Sequence, residues 1–199
     1  MIIIVNNDSE SIPELIEILT KLKIKYKIIN RDSVYKEGGK EKISGIILSG
    51  GGLSIDKNIL LKNIRADLFS LLEFKVPILG ICLGHEIICE VFGGEVIKLK
   101  KPSFSKALKI NINDKSDLFK NFPDKIEVYE HHTRYVRNLP INFVVTASSE
   151  KDKIESFSNK KKKIYGVQFH PELSGEYGEK VIRNFLDICK RNKPVLSEN

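Results

Sequence analysis

The first half of the chain alternates predicted strands with predicted helices, and this alternation limits the fold more than any other feature. The strands are predicted at residues 2–5, 26–29, 45–48 and 77–81, and the helices at 11–22, 56–74 and 84–92. Ser11 and Glu14 form a predicted capping box at the start of the first helix. Strands that alternate with helices through short connections predict an α/β fold, an open and largely parallel sheet with helices on both faces.

The second half of the chain has a different pattern. Predicted strands at 107–112, 126–129, 143–147 and 164–169 follow one another with little helix between them, and a closing helix is predicted over 178–189. Consecutive strands without helical crossovers predict a small antiparallel extension of the sheet. Neither half shows a repeat or a break in composition. We therefore expect a single domain over residues 1–190 and a polar tail over residues 191–199.

Length and cysteine usage exclude several protein classes. A chain of 199 residues can bury roughly 70% of its unfolded surface without help from disulfides or a structural metal. No apolar run approaches the roughly 20 residues that cross a bilayer, and the opening residues lack the features of a signal peptide. The three cysteines, Cys82, Cys89 and Cys189, have neither zinc-site nor disulfide-frame spacing. These observations predict a cytoplasmic protein without membrane contact and without a metal site.

The chain is basic, with 33 Lys and Arg against 26 Asp and Glu and a net charge of +7. Lysines gather at residues 98–101 and 160–163, where turns are expected. No nucleic-acid-binding module or interleaved aromatic pattern accompanies them. We therefore predict solvated loops and no nucleic-acid partner. A docking face for an acidic partner remains the alternative.

A candidate nucleophile lies between the fourth predicted strand and the helix that follows. The segment Gly-Ile-Cys-Leu-Gly at 80–84 has the spacing of a nucleophile elbow with sulfur in place of a hydroxyl. The start of the helix is expected to lower the pKa of Cys82 and to offer N–H groups to an oxyanion. The alternative is a small buried cysteine in a tight turn. Cys89 and Cys189 are predicted to be packing residues.

A thiol nucleophile needs a base, and the histidines are His85, His131, His132 and His170. His85 follows Cys82 by three residues, which is an awkward position for proton transfer. His170 lies past a predicted strand and has a carboxylate, Glu172, two residues on. At that spacing Glu172 can orient the imidazole while the other ring nitrogen faces the thiol. The alternative is a surface histidine before a proline turn.

Together these segments resemble class I glutamine amidotransferases. The resemblance rests on Gly-Ile-Cys-Leu-Gly-His at 80–85, Gly-Val-Gln-Phe-His-Pro-Glu at 166–172 and Ser-Gly-Gly at 49–51. It implies a catalytic triad of Cys82, His170 and Glu172 that hydrolyses glutamine through a cysteinyl thioester. It also implies an oxyanion hole formed by the N–H groups of Gly51 and Leu83. Further residues are implied to bind the substrate, namely Glu86, Gly50 and Gly52.

The resemblance also implies a partner, because family members deliver ammonia to a synthetase. No synthetase domain and no phosphate-binding loop is present in the sequence. We therefore expect no cofactor in this chain, and a separate synthetase subunit that holds ATP and Mg. Within the family the pattern is most similar to the separate glutaminase subunits of archaeal-type GMP synthetases, which would serve GMP synthesis from XMP. The alternatives are anthranilate or aminodeoxychorismate synthase, or a non-catalytic regulatory module.

The sequence departs from the family pattern at several positions. Glu86 replaces the usual Gln, and it could pair with the α-ammonium group of glutamine or disfavour its α-carboxylate. Arg134 stands where an acid is expected in the segment 131–134, and Gly52 where the loop usually has Pro. The segment 131–134 lies near the synthetase in the family, so Arg134 bears on the choice of partner more than on the chemistry.

Overall fold

The computed structural model describes residues 1–30, 42–51 and 75–192. The predicted helix at 56–74, Gly52 and residues 193–199 of the predicted tail lie outside these ranges. The described part contains nine strands and three α-helices: β1 (Ile2–Asn6), α1 (Ile12–Lys21), β2 (Tyr26–Asn30), β3 (Gly45–Leu48), β4 (Ile78–Ile81), α2 (Leu83–Val91), β5 (Glu95–Ile112), β6 (Lys125–Asn138), β7 (Val144–Ser148), β8 (Ser156–Asn159), β9 (Ile164–Val167) and α3 (Gly175–Arg191). Short 3-10 turns occur at Asp117–Phe119 and Pro171–Leu173.

All nine strands form one sheet in the order β2-β1-β3-β4-β9-β8-β7-β5-β6. The first five in this order run parallel, and the other four continue the sheet antiparallel. The predicted α/β fold with an antiparallel extension is therefore confirmed. The register between β4 and β9 sets Gly80 opposite Gly166, which aligns the ends of the two strands that carry the candidate nucleophile and base.

Apolar packing on both faces fixes the parallel part of the sheet. Alternate residues of a strand point to opposite faces, so Ile2 and Ile4 pack in one cluster with α1 and α3, while Ile3 and Val5 pack in another with α2. Cys89 and Cys189 are buried in these clusters, one on each side of the sheet. All three cysteines are free thiols. The prediction that Cys89 and Cys189 are packing residues is confirmed.

The antiparallel extension is larger than predicted. β5 and β6 form a long ribbon whose register shifts between Lys98 and Ser103, where the strand accommodates Pro102. Lys98, Lys100 and Lys101 therefore lie in a strand, and their predicted placement in a turn is wrong. Residues 160–163 form the turn between β8 and β9, as predicted.

Sequence reasoning missed β8 entirely. Its sequence, Ser-Phe-Ser-Asn, is mostly polar, yet all four residues are buried. The Thr146 hydroxyl donates to the Ser156 hydroxyl at 2.8 Å, so these polar side chains satisfy each other inside the sheet. In the described ranges, no helix is both long and apolar enough to cross a membrane.

Candidate active site

Cys82 lies in a strained turn between β4 and α2. Its φ is +47° and its ψ is −102°, a conformation that L-residues rarely adopt and that is typical of functional turns. A Cβ on Gly80 would lie 2.5 Å from the Gly84 backbone, and one on Gly84 would lie 2.4 Å from the Leu48 carbonyl oxygen. Close packing of backbone therefore requires both glycines, and the predicted strand–turn–helix around Cys82 is present.

The two predicted oxyanion-hole residues meet at the same place. Gly51 and Leu83 both line the pocket, and a Cβ on Gly51 would lie 3.1 Å from Leu83 Cδ2 and 2.0 Å from the Asn7 carbonyl oxygen. Asn7 fixes this loop because its N–H donates to the Ser49 hydroxyl and its side-chain amide donates to the Ser49 carbonyl. Nothing in the sequence pattern pointed to Asn7. The Cys82 N–H donates to Val167 on β9 at 2.8 Å, which ties the turn to the sheet.

His170 and Glu172 form the hydrogen-bonded pair that their spacing predicts. His170 Nδ1 lies 2.8 Å from Glu172 Oε1. The Ser11 hydroxyl donates to the same oxygen at 2.5 Å. Ser11 makes no side-chain bond to its own helix, so its predicted role in a capping box is wrong. Its hydroxyl instead donates a hydrogen bond to Glu172, 161 residues away. No local sequence pattern reveals such a long-range contact.

Backbone contacts fix the position of the imidazole. The His170 N–H donates to the Tyr129 carbonyl at 2.9 Å, and the Ser174 hydroxyl donates to the His170 carbonyl at 2.6 Å. A Cβ on Gly50 would lie 2.9 Å from His170 Cε1 and 3.6 Å from Cys82 Cβ. Gly50 therefore lies between the imidazole and the thiol-bearing residue, and a side chain there would displace one of them.

The surroundings of Cys82 favour the protonated form of its thiol. Burial raises its pKa well above the usual range, and the carboxylates of Glu86, Glu172 and Glu130 add to the effect, while the Leu83 N–H opposes it. The N–H group at the start of the helix lowers this pKa as expected, but burial and the three carboxylates outweigh its effect. The S–H group points to the His131 carbonyl oxygen at 3.7 Å.

His85 belongs to the core and not to the pocket. Its ring stacks on Phe157 with 4.4 Å between centroids, and neither ring nitrogen has a hydrogen-bond partner among the described residues. Burial lowers its pKa to about 3, against a smaller opposing effect from the Gly166 backbone. His85 is therefore neutral, and its position agrees with the expectation that it is poorly placed as a base.

A cavity of about 340 Å³ joins these groups, which suits a small-molecule substrate. Its walls come from the loop after β1, the turn at Cys82, β6 and the segment after β9. The lining residues are Asp8, Ser9, Glu10, Ser11, Gly51, Cys82, Leu83, Glu86, Tyr129, His131, His132, Thr133, Arg134, His170 and Leu173.

The two unusual charged residues, Glu86 and Arg134, both line this cavity and act on each other. Glu86 is buried and accepts a hydrogen bond from the Gln168 side chain at 3.3 Å. Burial raises the pKa of Glu86, and Gln168, Arg134 and His132 act in the opposite direction. A carboxylate in place of the usual amide is thus matched by a cation in place of the usual acid. The two departures from the family pattern therefore lie in the same cavity and interact electrostatically.

Three buried acidic residues that surround His132 were not identified from the sequence: Glu130, Asp152 and Glu155. Burial lowers the pKa of His132, but its contact with Glu130 outweighs this and the net shift is upward. Burial raises the pKa of Glu155 to about 8. The alternation of Glu130 and His132 on one strand was the available signal, since residues two apart share a face of a sheet.

Comparison with known proteins agrees with this geometry. The family model for glutamine amidotransferase class-I matches residues 3–189. One subunit of the glutamine-hydrolyzing GMP synthase of Pyrococcus furiosus is 40% identical over 190 residues, which cover 95% of this chain and 98% of that protein. The corresponding subunit of Methanococcus aeolicus is 39% identical over 191 residues, with 95% and 97% covered.

Solved structures show the same fold. A putative GMP synthase subunit from Thermoplasma acidophilum superposes with a TM-score of 0.83 at 32% identity, over 95% of this chain and 93% of that one. A glutamine amidotransferase from Thermotoga maritima has a TM-score of 0.74 at 22% identity, over 97% and 86%. With the family model matching nearly the whole length, the chain belongs to the class-I glutamine amidotransferase family.

Proposed function

We propose that this chain is the glutaminase subunit of a two-subunit GMP synthase, and that Cys82, His170 and Glu172 are its catalytic residues. One observation carries the proposal: the strained turn at Cys82 and the Glu172-bonded imidazole of His170 flank Gly50, and Cys82 and His170 both line the cavity. The relatives with about 40% identity are named as one subunit of a glutamine-hydrolyzing GMP synthase, which favours this enzyme over the chorismate-dependent synthases.

The chemistry follows from the positions of these groups. Cys82 Sγ attacks the side-chain amide carbon of glutamine, and the thiol proton passes to His170. His170 returns this proton to the leaving nitrogen, and ammonia departs. Water, deprotonated by His170, then hydrolyses the glutamyl thioester to glutamate and restores the thiol. Glu172 and Ser11 hold the imidazole in the required tautomer, which is the role of the third group in such triads.

Because burial raises the pKa of the Cys82 thiol, proton transfer is part of the attack. A thiol is a poor nucleophile, and here His170 must remove its proton as the carbon–sulfur bond forms. The S–H group must also leave the His131 carbonyl, to which it points at 3.7 Å. The oxyanion that develops on the substrate is stabilised by the N–H groups of Leu83 and Gly51, which act away from bulk water.

Glu86 and Arg134 form the part of the cavity that we assign to the amino-acid end of glutamine. Glu86 attracts the α-ammonium group, and Arg134 attracts the α-carboxylate. The opposite order of charges would repel both groups of the substrate. We also assign Gly50 and Gly52 to substrate binding from their place in the Ser-Gly-Gly loop of the sequence, since a residue without a side chain lets a substrate approach.

Ammonia from this cavity needs an acceptor. We propose that a separate ATP-dependent synthetase subunit consumes it to convert XMP to GMP, with ATP and Mg bound on that subunit, in the cytoplasm. The relatives are named as one subunit of their enzyme, which supports a second subunit here. None of the steps assigned to this chain uses a cofactor or nucleic acid.

The test combines this chain with the XMP-dependent synthetase subunit from the same organism. We expect slow glutamate release by the isolated chain, and faster release when the synthetase, XMP and ATP–Mg are added. GMP should then form with glutamine as the nitrogen source. The synthetase with free ammonia serves as the control for an active partner. If that control makes GMP but glutamine does not support it, the proposed partnership is wrong.

A further inference from the structure

Glu130, His132, Asp152 and Glu155 form a buried acidic cluster next to the cavity. All four are at most 6% exposed. Glu130 and His132 share one face of β6, while Asp152 and Glu155 come from the segment between β7 and β8. Ligand atoms of Glu130, His132 and Asp152 all lie within 4.8 Å of one another. No step of the proposed glutaminase reaction uses the cluster.

The tautomer of His132 directs a lone pair into the cluster. His132 Nδ1 lies 2.5 Å from the Arg134 carbonyl oxygen, and because a carbonyl only accepts, Nδ1 must carry a hydrogen. Nε2 of the neutral ring then has a free lone pair. It contacts Glu130 Oε1 and lies 3.6 Å from Asp152 Oδ2. A lone pair facing two carboxylate oxygens needs a positive charge between them, which a proton on Nε2 or a metal ion supplies. Metal-bound histidines typically donate their second N–H in this way.

Glu155 provides an independent sign of a missing ligand. It is fully buried, and neither of its oxygens has a hydrogen-bond partner among the described residues. The Ser149 hydroxyl donates to the Asp152 carbonyl at 3.3 Å, and it also lies near enough to lower the pKa of Glu155, an effect that burial outweighs. The carboxyl of Glu155 lies within electrostatic range of Glu130, Asp152 and His132, and the second oxygen of Glu130 also lacks a partner among the described residues. A proton on His132 would satisfy only part of this set.

We propose that the buried acidic cluster binds one divalent transition-metal ion through His132 Nε2, Glu130 and Asp152, with the buried carboxyl of Glu155 adding negative charge beside them. One imidazole with several carboxylates suits Zn²⁺ or Mn²⁺. Ligand atoms about 2.1 Å from one ion lie roughly 3 to 4 Å apart. Small side-chain rotations therefore close the present arrangement around an ion. This assignment revises the sequence prediction that the chain has no metal site.

The ion would stabilise the wall of the cavity. β6 carries the ligands Glu130 and His132, and between them His131, whose carbonyl faces the Cys82 thiol. A metal that joins β6 to the β7–β8 segment fixes this carbonyl in place. The role is structural, because the proposed ligands do not contact the reacting atoms.

The test measures metal binding directly. The full-length protein is dialysed against a chelator, then titrated with Zn²⁺ and separately with Mn²⁺, and bound metal is counted by elemental analysis. We expect one ion per chain for at least one of the two metals. Asp152→Asn and Glu155→Gln should weaken its binding at least tenfold. Glu127→Gln, which changes an exposed carboxylate on the same strand, is the matched control and should bind like the wild type.

Two further readouts keep the outcome decisive. When Co²⁺ is bound instead of Zn²⁺ or Mn²⁺, its absorption spectrum should show no thiolate-to-metal charge-transfer band. Cys82→Ala should bind the metal ion as tightly as the wild type does. If the cluster variants fail to fold, the thermal midpoint of the wild type decides, since it should rise with the bound metal relative to the chelator. The proposal is overturned if neither ion binds, if the folded Asp152→Asn variant binds equally, or if binding disappears in Cys82→Ala.

Discussion

The parallel and antiparallel parts of this one sheet are stabilised by different means. β1, β3 and β4 are almost wholly apolar and are buried between α1 and α3 on one face and α2 on the other. The antiparallel extension instead buries many polar side chains in and between its strands: Glu130, His132, Thr146, Ser149, Asp152, Glu155, Ser156, Ser158 and Asn159. Tight apolar packing therefore supports the candidate nucleophile Cys82. Charged and hydrogen-bonded side chains support the wall of the cavity that the antiparallel extension provides. We expect the two parts to respond to different perturbations.

Tight packing in the parallel part predicts the largest loss of stability. A Cβ on Gly84 would lie 2.4 Å from the Leu48 carbonyl oxygen, and the backbone of β3 cannot move away without a large loss of stability. We expect Gly84→Ala to destabilise the fold by about 4 kcal/mol or more, which is in the range of severe core mutations. Urea unfolding measures the change. Gly93→Asn is the control for backbone strain without a steric clash, because space is open at Gly93 while its φ is +91°; it should destabilise the fold much less than Gly84→Ala. Equal stability of Gly84→Ala and the wild type would contradict the packing.

The extension should lose stability as pH rises. Glu155 has an unfolded pKa near 4.5 and a folded pKa of about 8, so the folded state binds more protons between these values. Its contribution is unfavourable above pH 4.5 and grows to about 4 kcal/mol near pH 7.5 in the metal-free protein. Unfolding measured from pH 5 to 8 with a chelator should show this slope, and Glu155→Gln should remove most of it. A slope that survives in the variant would exclude Glu155 as the cause.

The parallel part should respond to pH in the opposite sense. His85 has an unfolded pKa near 6.5 and a folded pKa of about 3, so below pH 6.5 the unfolded state binds the extra proton. Stability therefore falls as pH falls, by about 3 kcal/mol at pH 4. His85→Phe, which keeps an aromatic ring against Phe157, should flatten the acid limb of the stability curve. His131→Phe is the control, and it should leave the fall of stability at acid pH unchanged.

Sequence patterns predicted the parallel part far better than the extension, for a physical reason. Apolar runs and glycine spacing reveal a buried parallel strand and the turn at Cys82, because the requirement is local. His170 and Glu172 are close along the chain and were found for the same reason. Ser11 and Asn7 act over more than 40 residues, and β8 is buried despite its polar sequence. Such positions depend on pairing partners that one sequence does not display.

The smallest expected effect concerns a contact within the parallel part, between the start of α1 and the segment after β9. Ser11 precedes α1 on the parallel side and donates at 2.5 Å to Glu172 Oε1, which orients His170. Loss of a hydrogen bond to a charged group costs about 1.5–3 kcal/mol. We expect Ser11→Ala to lower kcat roughly 10- to 100-fold with little change in KM, because the bond orients the base and does not bind substrate. Ser11→Thr should restore most of the activity. A change confined to KM would place Ser11 in substrate binding instead.

The most direct test compares two buried cysteines, one at the start of α2 and one near its end. Glutamate release from glutamine is measured for the wild type, Cys82→Ala and Cys89→Ala, with folding checked by circular dichroism. We predict a loss of about 10⁴-fold or more for Cys82→Ala, as for removal of a nucleophile in other triads. Cys89→Ala should keep activity within a few-fold. Equal rates in Cys82→Ala and the wild type would contradict the role of Cys82 as the nucleophile.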